Sequence, residues 1–289
     1  MLSKRFTLNK TFNSLLFLIL ITSTVLNAQK VLVYPKITQD DQKTSDYTIK
    51  LLELALEYSD SKYSLKENST KMVQTRSLEE LKQNKVIDIV WSMTSKQREE
   101  DLQAIYIPLY KGLIGYRLLL INKKDKLKFQ NINSLTELKT LISGQGHDWP
   151  DTQILESNGI KVITGSNYQG LFKMLILNRF DYFPRSILEI WEEYEIHKNS
   201  DIIIEPSILI QYKTASYFFV NKENKKLAHD LEKGMEKIIQ NGEFDKLFYE
   251  YYRDFIANGN INNRKIFTLK NPQLTKETPV NKKELWLSK

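Results

Sequence analysis

The chain has 289 residues, a formal charge of +7 at pH 7, 41% hydrophobic and 27% charged residues, and no cysteine. The missing thiol excludes disulfides, thiolate catalysis, cysteine-ligated metals and a lipid anchor on an N-terminal cysteine. Basic residues are interspersed with acidic ones and form no run, which speaks for a solvated surface and against a nucleic-acid tract. The length suits one large or two smaller domains.

Residues 1–28 read as a secretory signal peptide. Lys4, Arg5 and Lys10 form a basic start, Leu15 to Ile21 is wholly apolar, and Asn27-Ala28-Gln29 offers a cut after Ala28. An uncleaved anchor is the alternative, but the apolar run falls short of the roughly 20 residues a membrane span needs. Next come a strand at Lys30–Tyr34, a helix over Tyr47–Glu57 with an apolar stripe, and a strand at Tyr63–Leu65. Ser77 reads as the cap of a short helix over Leu78–Gln83, with Glu80 completing a capping box. Ile87–Trp91 is the next strand, and the alternation argues for βαβ units and largely parallel pairing.

The pattern repeats downstream. Ser134 caps a helix to Leu141, Gly144-Gln145-Gly146 leads into a helix over Asp151–Ser157, and Asn158-Gly159 ends it. Ile160–Ile163, Tyr182-Phe183 and Ile202–Ile204 read as strands, Gln169–Asn178 and Ile187–Tyr194 as helices. Gly115–Ile121 and Ser216–Val220 flank this set as long strands. Leu227–Ile256 is helical with a break at Gly242, and an extended tail follows that anchors through Leu285 and Trp286.

Within Asp88-Ile89-Val90-Trp91-Ser92-Met93-Thr94-Ser95-Lys96-Gln97-Arg98 and Tyr106-Ile107-Pro108-Leu109-Tyr110 the chain resembles the periplasmic amino-acid-binding proteins. In that family of two-lobed receptors a strand is followed by a Met-Thr-x-Thr-x-x-Arg turn and a Phe-Ser-x-Pro-Tyr segment. The turn here is one residue shorter. Gly170 to Leu175 followed by Arg179-Phe180-Asp181-Tyr182 resembles the family's helix, Gly-Arg-x-Asp-Ala turn and strand. The resemblance implies an α/β, two-lobed type 2 periplasmic-binding-protein fold: mainly parallel sheets flanked by helices, joined by two crossover strands. Lobe 1 would comprise 29–122 and 211–260, lobe 2 123–210, and 261–289 would be a tail packed on lobe 1.

The candidate ligand-binding residues are Trp91, Ser92, Thr94 and Arg98 in the first lobe, and Gly146, His147, Trp149, Tyr168 and Arg185 in the second. A guanidinium beside hydroxyls suits a carboxylate. Glycines before a helix start let free N–H groups approach an anion, although Trp149 could instead pack under the loop and Asp151 simply cap the helix. The resemblance puts an ammonium-binding aspartate near the position of Arg185 and Ser186. An arginine cannot take that part. Either Glu189 does, or the ligand is not an ordinary α-amino acid and two arginines favour an acidic one, or Arg185 merely pairs with Glu189. Asp40-Asp41 and Glu192-Glu193 read as solvated carboxylates.

His147, His197 and His229 are scattered, so no metal site is legible, and no cofactor or catalytic elbow is expected. The expectation is a soluble monomer of the periplasm, not an enzyme and not a nucleic-acid binder. It would capture an amino acid or small organic anion for an ABC-type permease or a membrane sensor. A sensory or interaction protein, or an enzyme, on the same scaffold is the alternative.

Overall fold

The computed structural model describes residues 29–36 and 42–287. The leader and the Asp40-Asp41 pair lie outside them. Two α/β lobes are built on separate sheets. The first contains β1 (Lys30–Tyr34), β2 (Tyr63–Glu67), β3 (Ile89–Met93), β4 (Gln103–Ile105) and β11 (Ser216–Val220). β1 pairs with β2 in parallel, while β11 runs antiparallel between β3 and β4. The second sheet takes β5 (Tyr116–Asn122), β6 (Ile142–Gly146), β7 (Lys161–Gly165), β8 (Tyr182–Ser186), β9 (Ile202–Ile204), β10 (Ile208–Gln211) and β12 (Lys265–Thr268). The first lobe thus has a parallel pair and a three-stranded antiparallel sheet, and the seven-stranded sheet of the second is mixed. The local βαβ repeats supply the parallel pairs β1–β2, β6–β7 and β6–β8, the tail adds a parallel pair at β10–β12, and crossover strands β5 and β11 supply the antiparallel ones.

Both lobes use the same device, joining β1 to the start of β3 in the first and β6 to the start of β8 in the second. In the first, Asp88 accepts from the Val33 N–H at 2.8 Å and its own N–H donates to the Val33 carbonyl at 2.8 Å. In the second, Asp181 accepts from the Ile142 N–H at 2.7 Å and donates back to its carbonyl at 2.8 Å. A carboxylate bonding a backbone N–H is among the stronger hydrogen bonds, so these aspartates hold sheet register.

β5 is buried on both faces, as its unbroken apolar run requires. Leu118 and Leu120 join the core shared with the first lobe, whereas Leu119 and Ile121 join the opposite core. Arg117 shares the parity of Leu119 and Ile121. The second sheet therefore begins at Tyr116, ahead of the 123–210 insert read from the sequence. The tail also departs from expectation. β12 adds in parallel to β10 in the second sheet, and Asn158 holds Lys270 there through both backbone groups. Only later does the tail reach the first lobe, where Trp286 packs against Gly112 and Lys111 Nζ donates to the Glu284 carbonyl at 2.6 Å.

Among the helices, α9 (Lys225–Gln240) and α10 (Glu243–Gly259) are separated by Gly242 at φ 84°, the break expected there. Ser134 caps α5 (Leu135–Leu138) in a full capping box with Glu137. Ser77 does not cap. α2 (Gln74–Lys82) starts three residues earlier, and Ser77 lies buried within it, bonded back to the Val73 carbonyl at 3.3 Å. The earlier start brings Gln74 and Thr75 to the side facing the second lobe, where both find partners.

Candidate functional site

The carboxyl ends of β3, β6 and β8 meet where the lobes approach, the usual place for ligands in open α/β sheets. α3 (Lys96–Asp101) begins just after β3, with the Ser95 hydroxyl capping the Arg98 N–H at 3.3 Å. This turns the Arg98 side chain back over the strand end. Its Nη1 donates to the Ser92 hydroxyl at 2.7 Å and the Met93 carbonyl at 2.6 Å, and its Nη2 to Gln74 Oε1 at 2.9 Å. All three acceptors are neutral, and among the described residues no carboxylate lies within 4 Å of it. Burial pushes the guanidinium down to about 10, and the fields of Asp148 and Asp151 across the cleft counter this. It remains charged at neutral pH.

From the other lobe, α6 (Pro150–Ser157) starts with Trp149 as its N-cap. Thr75 of α2 donates to Asp148, which ties the lobes together. Asp151 does not cap α6. It is buried against Arg117, whose Nη2 lies 2.6 Å away, and accepts from the Tyr212 hydroxyl. Arg117 also approaches Glu189 Oε2 at 3.6 Å and the Met93 sulfur at 3.7 Å.

Arg185, at the end of β8, is 5% exposed. Its Nε donates to both oxygens of Glu193 at 2.8 and 2.9 Å, its Nη2 to Oε1 at 2.6 Å, and Glu189 lies 3.1 Å from Nη2. Tyr168, the first residue of α7 (Tyr168–Ile176), donates to the same Glu193 oxygen at 2.7 Å. Burial works against the Arg185 charge, but Glu189 and Glu193 outweigh it and hold the guanidinium well above its usual range. Burial raises the Glu189 carboxyl despite both arginines, and it raises the Tyr168 hydroxyl.

The sequence candidates therefore divide. Ser92, Arg98, Trp149, Tyr168 and Arg185 gather at the strand ends. Trp91 stands half-buried on β3 with its ring 5.9 Å from that of Tyr34. Gly146 is needed for space, since a β-carbon there would lie 2.5 Å from the Trp149 ring. Thr94 turns away, donating to Glu99 at 2.5 Å. His147 is exposed, with Nδ1 3.8 Å from Asp148. Of the readings left open for Arg185, ion pairing is the one observed, with Glu189 as expected and with Glu193 besides, so the cleft does not offer two unmatched arginines. One expectation needs correction. Glu193 is 2% exposed and paired, not solvated. The sequence reading missed Arg117, Glu193 and the role of Asp151. An arginine inside the apolar run Tyr116-Arg117-Leu118-Leu119-Leu120-Ile121 was the available signal, because a buried arginine requires a carboxylate.

Two cavities lie elsewhere, about 560 Å³ between α9 and the tail and about 390 Å³ beside Asn122 and Asp201; neither borders these residues. Among the described residues no helix is long and apolar enough to cross a membrane, and no cluster of metal-ligating side chains occurs.

No protein-family model matches the chain, and no curated protein matches it. Solved structures do. An ancestral arginine-binding protein bound to arginine has a TM-score of 0.55 at 17% identity, covering 78% of this chain and 99% of that one. A histidine kinase sensor domain with similarity to periplasmic binding proteins gives 0.55 at 12%, covering 78% and 96%. The GluR0 ligand-binding core from Nostoc punctiforme, in complex with L-glutamate, gives 0.53 at 13%, covering 77% and 99%. At such identities the likeness is one of fold, and it agrees with the two lobes and two crossover strands: the chain has the type 2 periplasmic-binding-protein fold.

Proposed function

We propose that the protein is a binding protein, not an enzyme, that closes its lobes over a small polar ligand carrying an anionic group. One observation carries this reading. Arg98 holds a half-buried positive charge at the lobe junction and bonds only neutral acceptors among the described residues. A partly desolvated guanidinium with no carboxylate in contact is poorly matched, and an incoming carboxylate would match it with charge-assisted bonds. The ligand class is an amino acid or another small organic anion. The neighbours of the same fold that bind arginine and L-glutamate support it. Closure around the ligand would follow the domain motion this architecture allows.

In this reading residues 1–28 direct export and are removed, and the mature monomer works in the periplasm, delivering ligand to a membrane permease. A sensory role is the second reading, favoured by the likeness to a histidine kinase sensor domain. A thermal-shift screen of the mature chain against amino acids, dicarboxylates and peptides tests the proposal. A ligand at 100 times its dissociation constant stabilises by about 2.7 kcal/mol. The reading fails if no carboxylate ligand shifts the melting temperature, or if Arg98→Ala binds the hit as tightly as wild type.

A further inference from the structure

Arg185 is surrounded as a bound organic cation would be. Its guanidinium carbon lies 4.8 Å from the Trp149 ring centre, 4.9 Å from Phe183 and 5.7 Å from Tyr168. The Trp149 and Phe183 rings are near parallel, at 13° and 6.2 Å between centres. Glu193 closes the box with a forked carboxylate and Glu189 adds a second. Trp149 and Glu189 are N-caps of α6 and α8 (Ile190–His197), and Tyr168 opens α7. Three helix starts thus converge on one guanidinium at the carboxyl end of β8.

Aromatic faces attract cations, and a planar fork matches a carboxylate with two bonds. A buried ion pair is weak evidence for a stabilising role, because apolar residues of similar volume can often replace one without loss. The Trp149 wall of the box lies between Asp148 and Asp151 in the chain, the two carboxylates whose fields reach Arg98, and that places the box beside the cleft. We propose that Arg185 is a resident occupant of a guanidinium-accepting box and sets the specificity of the cleft. The box is filled from within, so the protein takes ligands whose carboxylate Arg98 can hold and whose remainder carries no guanidinium or ammonium side group. The inference rests on the cleft being the ligand site, but the box itself can be tested without any natural ligand.

Arg185→Ala removes Cγ through the guanidinium, the atoms that ethylguanidinium supplies. Thermal melts of the mature chain are compared in ethylguanidinium chloride, ethylammonium chloride and sodium chloride at equal ionic strength. Ethylguanidinium is expected to raise the melting temperature of Arg185→Ala saturably, by roughly 4 °C at ten times its dissociation constant, and to leave wild type unshifted. Ethylammonium should give no saturable rise. If Arg185→Ala does not fold alone, Arg185→Ala/Glu193→Gln removes the orphaned charge and should show the same rescue at higher concentration. A response to ethylguanidinium no greater than wild type's in whichever variant folds overturns the proposal. So does equal rescue by ethylammonium, or a saturable shift of wild type by L-arginine. Rescue of Arg185→Ala together with unchanged ligand binding in Arg98→Ala would keep the box and reject the cleft reading.

Discussion

The Nη2 of Arg117 lies 2.6 Å from a carboxylate oxygen of Asp151, and both side chains are buried. Asp151 also takes the Tyr212 hydroxyl. The carboxylate is thereby committed within its own lobe and leaves Arg98, across the cleft, without a direct counterion.

Arg98→Ala should weaken binding of a carboxylate ligand by roughly 1.5–3 kcal/mol, the range for a hydrogen bond to a charged group. Stability should fall as well, by about 1–2 kcal/mol, because three acceptors lose their donor. Calorimetry on the ligand and urea unfolding of the free protein separate the two effects.

Glu189 gives a pH signature. Burial holds its folded-state pKa above the ordinary value of 4.5. A carboxyl raised in this way stabilises the fold when protonated, and that contribution is lost as pH rises through the folded-state value. Glu189→Gln lacks this loss. Relative to wild type, the variant should become more stable as pH rises above the ordinary carboxyl range. Paired urea titrations check this, and a difference that is flat or runs the other way would refute it.

Gly234 sets the spacing between α9 and α1 (Gln42–Glu57). A β-carbon at 234 would lie 1.9 Å from the Ala55 carbonyl oxygen. In an open helix Gly→Ala gains about 1 kcal/mol. Here overpacking, at about 1–3 kcal/mol, opposes it against unyielding backbone. Gly234→Ala should therefore lower the urea midpoint, whereas Gly242→Ala should do so through its left-handed backbone alone, having no atom within 4 Å to clash with.

Trp286 fills the space above Gly112, where a β-carbon would meet its ring at 2.5 Å. Its indole N–H donates to the Pro279 carbonyl at 2.9 Å. Trp286→Ala should cost about 3–5 kcal/mol as a buried aromatic truncation. Chemical unfolding measures it directly.

Much of the architecture could be read from periodicity. The repeated βαβ pattern, the strands flanking it and the break at Gly242 follow from local residue chemistry. Trp149, Tyr168 and Arg185, named from the resemblance, do lie against one another. What escaped was pairing between distant segments. Glu193 looks like any carboxylate on a polar helix until β8 brings Arg185 beneath it. Ser77 satisfied a capping pattern, but contacts of Gln74 and Thr75 outside the helix moved its start. The β12 addition to β10 was hidden because a short strand in a proline-bearing tail has no periodicity to reveal it.

The position of β11 governs the order in which the molecule can assemble. β3 has β11 as its hydrogen-bonded sheet neighbour, and β4 pairs with β11 too. Every residue of β5 through β10 comes between them in the chain. A polypeptide emerging from its N-terminus can pair β5, β6 and β8 while β3 and β4 still have open edges. Such non-local closure is slow, and unpaired edges invite association with other chains. The centre of the second sheet is thus placed to pair first, whereas its edge strand β12 and the closure of the first lobe by β11, including the strand that leads into Arg98, wait for the last third of the chain.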